Sequence, residues 1–416
     1  MRSVLILGGG VIGLACAWHA ARRGLRVTVV ERLPAARDGC SFGNAGMIVP
    51  SHFVPLAAPG MVALGLKWMG NPESPFYIRP RLDAELFGWA WKFWRASTAA
   101  HVARAAPLLR DLSLASRAEY EALAEESGND FGFTRRGLLM LCRTPHALDE
   151  EAKTAEHARR LGVPAEVLDA QQIAALEPGV TMNVAGGVLF PKDCHLSPDR
   201  LMAGLQKRLA AAGVECLWET EVAAWRHEGG RLVAARTSRG ELAADEFVLA
   251  GGSWSPRAAA GLGLKLSMQA GKGYSLTLPQ PRQLPQLCAI FTEARIAVTP
   301  MGGALRFGGT MEIAGLDETI NPRRVRGIIR AVPPYWPAFR EEDFAGLPPW
   351  RGLRPVSPDG LPYLGRTRRW PNLIIATGHA MMGLSLAPVT GRPVGELLAG
   401  EPPAHDLTLL APERYG

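Results

Sequence analysis

Cysteine is scarce in this chain and does not cluster. Six cysteines (Cys16, Cys40, Cys142, Cys194, Cys216 and Cys288) are spread over 416 residues, with no C-x-x-C pair and no histidine at ligand spacing. That scatter excludes a zinc ribbon or a disulfide framework; it reads as free thiols in a reducing compartment, and no metal site is expected. No run of ~18 uninterrupted apolar residues occurs, so no membrane-crossing helix is expected. The apolar stretch Val4–Ala21 imitates a secretory leader, but Gly8-Gly9-Gly10 interrupts it and Arg22-Arg23-Gly24 follows. A strand, turn and helix fit better than a signal peptide, and a cytoplasmic location is expected. Acidic charge is in deficit: 46 Lys and Arg face 39 Asp and Glu, a net charge of +7. The excess is mostly arginine in dispersed pairs (Arg22/Arg23, Arg135/Arg136, Arg159/Arg160, Arg323/Arg324, Arg368/Arg369), not one cationic block. Such pairs make solvated faces, and no nucleic-acid partner is expected.

What is present is ample apolar material, 47% hydrophobic against 20% charged, enough for a large core in two or three domains. Ser3–Leu7 is a continuous apolar run, the pattern of a strand buried on both faces. Val11–Arg23 has helical spacing and stops at Gly24, and Arg26–Val30 is again a buried strand. These three elements make a compact βαβ unit with a right-handed crossover. A Gly/Pro/Ser-rich loop from Pro34 to Pro59 then breaks the alternation. Helices are expected around Ala84–Ala96, Leu108–Ser127 and Asp199–Ala212. Strands are expected at Leu138–Arg143, Gly186–Pro191, Val214–Leu217, Val222–Trp225, Leu232–Thr237 and Phe247–Ala250, then throughout Leu264–Thr310. Near the C-terminus, Leu373–Ala376 reads as a strand and Gly383–Leu398 as a helix. A nucleotide-binding sheet is thus left and re-entered after long excursions. The expected fold is α/β, with a discontinuous Rossmann-like nucleotide domain (1–50, 146–262 and 350–416) and an inserted β-rich α+β substrate domain (51–145 and 263–349).

Gly8, Gly10 and Gly13 fit G-x-G-x-x-G between a strand and a helix, with Val11 and Ile12 as the intervening residues. Gly8 makes the tight turn, Gly10 lets backbone approach a pyrophosphate, and Gly13 lets the helix lie against the strand. Amides at the helix start favour phosphate charge. Glu31, followed by Arg32, ends the second strand, where a carboxylate accepts from ribose hydroxyls and repels a 2′-phosphate. Ser41-Phe42-Gly43-Asn44-Ala45-Gly46-Met47-Ile48 is a second small-residue loop, placed to run along a long cofactor beyond its diphosphate.

On these motifs, and on several others in order, the chain resembles the D-amino-acid oxidase-like FAD oxidoreductases, within them the bacterial D-amino-acid dehydrogenases. The others are Ala57-Ala58-Pro59-Gly60 with Lys67-Trp68-Met69, Lys272–Thr277, Leu305–Glu312, Gly352-Leu353-Arg354-Pro355 with Pro358-Asp359-Gly360, Ala376-Thr377-Gly378-His379 and Arg414-Tyr415. Gly383–Gly391 is also similar to glycine oxidases and hydroxyproline-oxidising relatives. The resemblance implies FAD as cofactor. It implies that Ser41, Asn44, Ala45, Gly46 and Met47 line the path from pyrophosphate to flavin and that Val222 faces adenine. Gly251, Gly252 and Trp254 would lie beneath the cofactor, with Gly378, His379, Met382, Gly383, Leu384 and Ser385 around the isoalloxazine. None of the six cysteines suggests a flavin attachment, so noncovalent FAD is expected.

The reaction so implied is hydride transfer from substrate Cα to flavin N5, giving an imino acid, or a cyclic imine from a D-proline-like or hydroxyproline-like substrate. Related oxidases place a carboxylate-binding arginine directly after the strand here written Ala297-Val298-Thr299-Pro300, where this chain has Met301. Arg354 is the replacement candidate, with Tyr274 as hydroxyl donor and Arg306 in reserve; a structural ion pair is the competing role for Arg354. The expected partners are a small amino-acid substrate and a quinone or other electron acceptor. The aromatic stretch Trp68, Phe76, Tyr77, Trp89, Trp91, Phe93 and Trp94 divides between core helix and interfacial surface, with peripheral association at the inner face of the membrane as the implied use. An oxidase using oxygen and a flavin subunit of a hetero-oligomer are the alternatives, and an NAD enzyme is disfavoured by the Ser41–Met47 loop.

Overall fold

The computed structural model describes residues 1–69, 71 and 73–415. Its foundation is the N-terminal unit. Strands Ser3–Leu7 and Arg26–Val30 pair in parallel from Ser3–Arg26 to Leu7–Val30, and the helix Val11–Ala21 connects them. Gly8 turns the chain with φ +112°, and a Cβ there would lie 2.4 Å from the Ala250 carbonyl oxygen. Gly13 is tighter still: a Cβ would sit 1.8 Å from the Gly8 oxygen, so only glycine lets the first helical turn close on the strand.

Six strands form the first sheet, in the order Tyr363–Arg366, Leu373–Thr377, Glu246–Leu249, Ser3–Leu7, Arg26–Val30 and Glu215–Leu217. All neighbours are parallel except the first pair. One face is covered by Val11–Ala21 and Ala387–Ala399, which cross closely because a Cβ on Gly391 would meet the Ala15 carbonyl oxygen at 2.5 Å. The antiparallel meander Val222–Glu228, Arg231–Thr237 and Gly240–Ala243 packs on the other face. The second sheet orders Trp350–Val356, Gln269–Leu278, Ala304–Ile313, Ile296–Met301, Cys288–Phe291, Leu138–Cys142, Gly186–Phe190 and Glu166–Asp169, with Phe76–Ile78 added beside Ala304–Ile313. Helix Pro322–Tyr335 buries Val325, Ile328 and Val332 against one face of it.

Strand pairing divides the chain differently from the expected boundaries. Glu166–Asp169 and Gly186–Phe190 were placed with the nucleotide domain, as was Trp350–Val356. All three extend the second sheet: Trp350–Val356 pairs with the free edge of Gln269–Leu278, Gly186–Phe190 with that of Leu138–Cys142, and Glu166–Asp169 in turn with Gly186–Phe190. The helix expected from Leu108 starts at Ala99, capped by Thr98 accepting from the His101 amide, and runs through Pro107. The helix expected from Gly383 starts at Ala387, after a 3-10 turn at Ala380–Met382.

Substituting Gly13→Ala inserts a methyl group where there is no room, and should lower stability by about 2–3 kcal/mol. Chemical denaturation of the apoprotein measures this; an unchanged midpoint would contradict the contact.

Candidate functional site

A cleft of about 660 Å³ opens where the parallel strands end, the place an open α/β sheet offers a ligand. Leu7, Val30, Leu249 and Ala376 bring four strand ends to its floor. The sheet order sets Glu31 toward one side and the end of Leu373–Thr377 toward the other. Strand Trp350–Val356 abuts that second side: the Ser253 hydroxyl donates to the Leu353 carbonyl at 3.0 Å, and Val356 bridges to His379.

Of the residues expected to hold a cofactor, Gly8, Gly10, Val11, Ile12, Glu31, Arg32, Ser41, Asn44, Val222, Gly251, Gly252, Trp254, His379, Gly383 and Leu384 line the cleft. Glu31 Oε2 accepts from the Gly9 amide at 2.8 Å and Oε1 from the Leu33 amide at 3.0 Å, which fixes the carboxylate at the strand end. The Val11 amide donates to Ser41 Oγ at 3.0 Å, tying the second loop to the helix start. Arg32 stacks on Trp254 with its guanidinium 3.8 Å from the ring centre. His379 is buried and neutral, its pKa drawn down by burial to about 3. Its Nε2 bonds Thr390 Oγ1 at 2.9 Å, while Nδ1 has no partner.

The remaining expected residues stand behind the wall. Gly13 makes the helix–strand contact described above. Gly46, with φ +73°, passes its carbonyl to the Leu196 amide, and Met47 pairs with His195. Ser385 Oγ accepts from the Val49 amide at 3.0 Å, Met382 packs against the main core, and Gly378 makes a left-handed turn at φ +82°. The carbonyl of Ala45 accepts from Thr299 Oγ1 at 2.6 Å. Because the helix begins only at Ala387, residues 383–386 form a turn, and no helix start lies at Gly383 as expected.

The three substrate candidates separate. Arg354 lines the cleft. Tyr274 does not: its ring lies in the core of the second sheet and its hydroxyl donates to Glu312 Oε2 at 2.7 Å. Strand alternation turns Tyr274 away from the face that carries Ser275 and Thr277, so it does not stand on the cleft wall as expected. Arg306 is also outside the cleft wall, its Nη1 donating to the carbonyls of Phe42 (3.2 Å) and Asn44 (2.9 Å) and its Nε to Thr277 Oγ1 (3.0 Å). Met301, in place of the arginine of related oxidases, packs beside Gly46.

Sequence reasoning missed Arg37, Cys40, Trp218 and Trp350. Arg37 reaches into the cleft, bonds the Gly9 carbonyl and stacks between Trp218 and Phe42 at 4.6 and 5.2 Å. The Trp350 ring covers Gly43, where a Cβ would fall 2.0 Å from it. Cys40 lines the cleft near Arg354; burial pushes its thiol pKa up, against the pull of that arginine. A cysteine therefore does sit on the wall of the site, unlike the expectation. Arg37 and Cys40 follow no periodicity, and only the composition of the Pro34–Pro59 loop marked their neighbourhood.

The charge inventory of the cleft is uneven. Arg32, Arg37, Arg257 and Arg354 line it against the carboxylates Glu31 and Glu221 only. That surplus suits an anionic diphosphate and a substrate carboxylate.

The sequence profile described as FAD dependent oxidoreductase matches residues 3–397. This chain belongs to that family. It is 34% identical over 418 residues to the D-amino acid dehydrogenase of Agrobacterium fabrum, covering 99% of each chain. It is 36% identical over 417 residues to that of Cereibacter sphaeroides, covering 99% of this chain and 95% of the relative. The glycine oxidase of Geobacillus kaustophilus superposes over 100% of both chains with a TM-score of 0.80 at 27% identity. The L-proline dehydrogenase of P. horikoshii shares the fold, with a TM-score of 0.72 at 19% identity. The cleft fits FAD: the cradle at Gly8 leaves no room for a Cβ, Glu31 meets the strand end, and the wall continues past Ser41 to His379.

Replacing Glu31 with Ala removes the carboxylate at the strand end and frees the Gly9 and Leu33 amides. FAD affinity should fall about tenfold or more. Titrating apoprotein with FAD by fluorescence quenching reads this, and parent-like affinity would refute the assignment.

Proposed function

We propose that this chain oxidises a D-amino acid at Cα, holding FAD noncovalently and passing electrons to a quinone or similar acceptor. The observation that carries this reading is Arg354. Its Nη1 donates to the Thr310 carbonyl at 2.6 Å, yet among the described residues no carboxylate pairs with it. A part-buried guanidinium in a cleft without a counter-ion is a receptor for an anion, and the fork matches a carboxylate. Room for it depends on Gly273 in the neighbouring strand, where a Cβ would lie 2.2 Å from Nη2. The curated relatives above are D-amino acid dehydrogenases, which supports amino-acid oxidation at the D-configured Cα.

Bound FAD supplies the electron sink for hydride leaving Cα, and the imino acid released hydrolyses to a keto acid. The protein's part is orientation. Arg354 holds the carboxylate; Glu31 and Glu221, the carboxylates on the wall, belong to the strand-end and meander side. With no carboxylate beside Arg354 to act as base, the amine must arrive neutral. His379, neutral down to about pH 3, takes no proton in the working range. The pH profile of kcat/KM should rise with a single limb set by the substrate amine; an added inflection near pH 6.5 would implicate an ionising histidine. Arg354→Ala should leave FAD bound and reduce kcat/KM at least about a hundredfold. Unchanged kinetics would remove the carboxylate role. Hydrogen peroxide released in step with turnover would replace the quinone-type acceptor with oxygen.

Noncovalent binding is supported by Cys40, since burial keeps its thiol neutral and weakly nucleophilic. Acid precipitation should leave the flavin in the supernatant; yellow precipitate would overturn this.

Peripheral membrane association rests on helix Ala84–Ala96. Trp89 is buried, its indole N–H donating to the Val356 carbonyl at 2.9 Å, but Phe87, Trp91 and Trp94 are 59%, 54% and 61% exposed. Their spacing sets them on one helix face, with Arg95 stacked on Trp91. Among the described residues no helix is long and apolar enough to cross a membrane. Trp91→Ser with Trp94→Ser should reduce cosedimentation with phosphatidylglycerol-containing vesicles severalfold, and equal binding would exclude this face.

A further inference from the structure

Resting on the reading of the cleft as an FAD site, we infer that Arg306 and Ser275 are positioning residues that turn the amides of Gly43, Asn44 and Ala45 toward the cofactor. Four consecutive carbonyls of this loop are held from the side of the second sheet. Arg306 Nη1 takes those of Phe42 and Asn44, Ser275 Oγ that of Gly43 at 3.1 Å, and Thr299 Oγ1 that of Ala45 at 2.6 Å. The Gly46 carbonyl follows, accepting from the Leu196 amide at 2.8 Å.

The holders are a row built by sheet register. Thr277, Arg306 and Thr299 face one another across three adjacent strands, and Ser275 is two residues along from Thr277 on the same face. Thr277 accepts from Arg306 Nε, which fixes the guanidinium before it meets the loop.

In a planar trans peptide the carbonyl of one residue and the N–H of the next point in opposite directions. Holding the carbonyls of residues 42–44 on the sheet side therefore turns the N–H groups of Gly43, Asn44 and Ala45 away from it. Among the described residues none of these three amides has a partner in the protein. The Gly46 amide differs, donating to Asn44 Oδ1 at 2.8 Å. Phe42 and Asn44, which belong to these peptides, line the cleft, so the freed donors lie on the side of the loop away from the second sheet. A row of unpaired N–H groups stabilises negative charge on a bound acceptor, and here its direction is set by side chains that do not line the cleft.

Ser275→Ala removes the hydroxyl that holds the Gly43 carbonyl, and Arg306→Lys keeps the charge but cannot serve two carbonyls and Thr277 together. FAD affinity of the apoprotein should weaken about 5-fold in Ser275→Ala and about 30-fold in Arg306→Lys. Because the lost donors favour the electron-rich reduced flavin, the midpoint potential measured by dye equilibration should also become more negative in both. A purely structural role would lower the melting temperature of the apoprotein without moving the potential of the bound flavin. Parent-like affinity and potential in both variants would overturn the inference while leaving the FAD reading intact. Failure of the parent chain itself to bind FAD would overturn both.

Discussion

Everything in this molecule is arranged around one close approach, the meeting of the glycine turn with the strand ends beside it. Gly13 rests on the Gly8 carbonyl, and Gly8 rests on that of Ala250, with no space for a methyl group at either contact. These contacts bring a helix start, the Glu31 carboxylate and the end of Glu246–Leu249 to one edge of a parallel sheet. The first layer of the site is therefore made by backbone geometry, and side chains are added to it from elsewhere in the chain.

The second sheet completes the site from across the cleft. Its last strand, Trp350–Val356, delivers Arg354 beside the end of the first sheet. The strands next to it hold the loop of residues 42–46 through Ser275, Thr299 and Arg306. Asp38 of the same loop pairs with Arg351, and its carbonyl accepts from the Trp350 indole at 2.6 Å. One loop thus ties the first sheet's glycine turn to the strands of the second sheet.

The sequence makes some of this plain and conceals the rest, for physical reasons. Strands Ser3–Leu7 and Arg26–Val30 are buried on both faces and so carry unbroken apolar runs, and the glycines between them have no other economical explanation. Family motifs led to Arg354 because its neighbours Gly352, Leu353 and Pro355 are distinctive. Tyr274 and Arg306 were legible as polar residues in a substrate-side strand, but the face each occupies depends on register, which one sequence does not determine. The membership of Glu166–Asp169 and Gly186–Phe190 in the second sheet depends on which distant edge they pair with. Arg37, Cys40 and Trp218 sit in irregular segments, where neither period nor propensity speaks.

The account stands most directly on the flavin's response to substrate. Anaerobic titration of the purified yellow protein with D-amino acids, including D-proline and 4-hydroxyproline, should bleach the flavin band stoichiometrically, whereas the matching L-enantiomers should leave it unchanged. A colourless protein, or bleaching by L-amino acids alone, would contradict it.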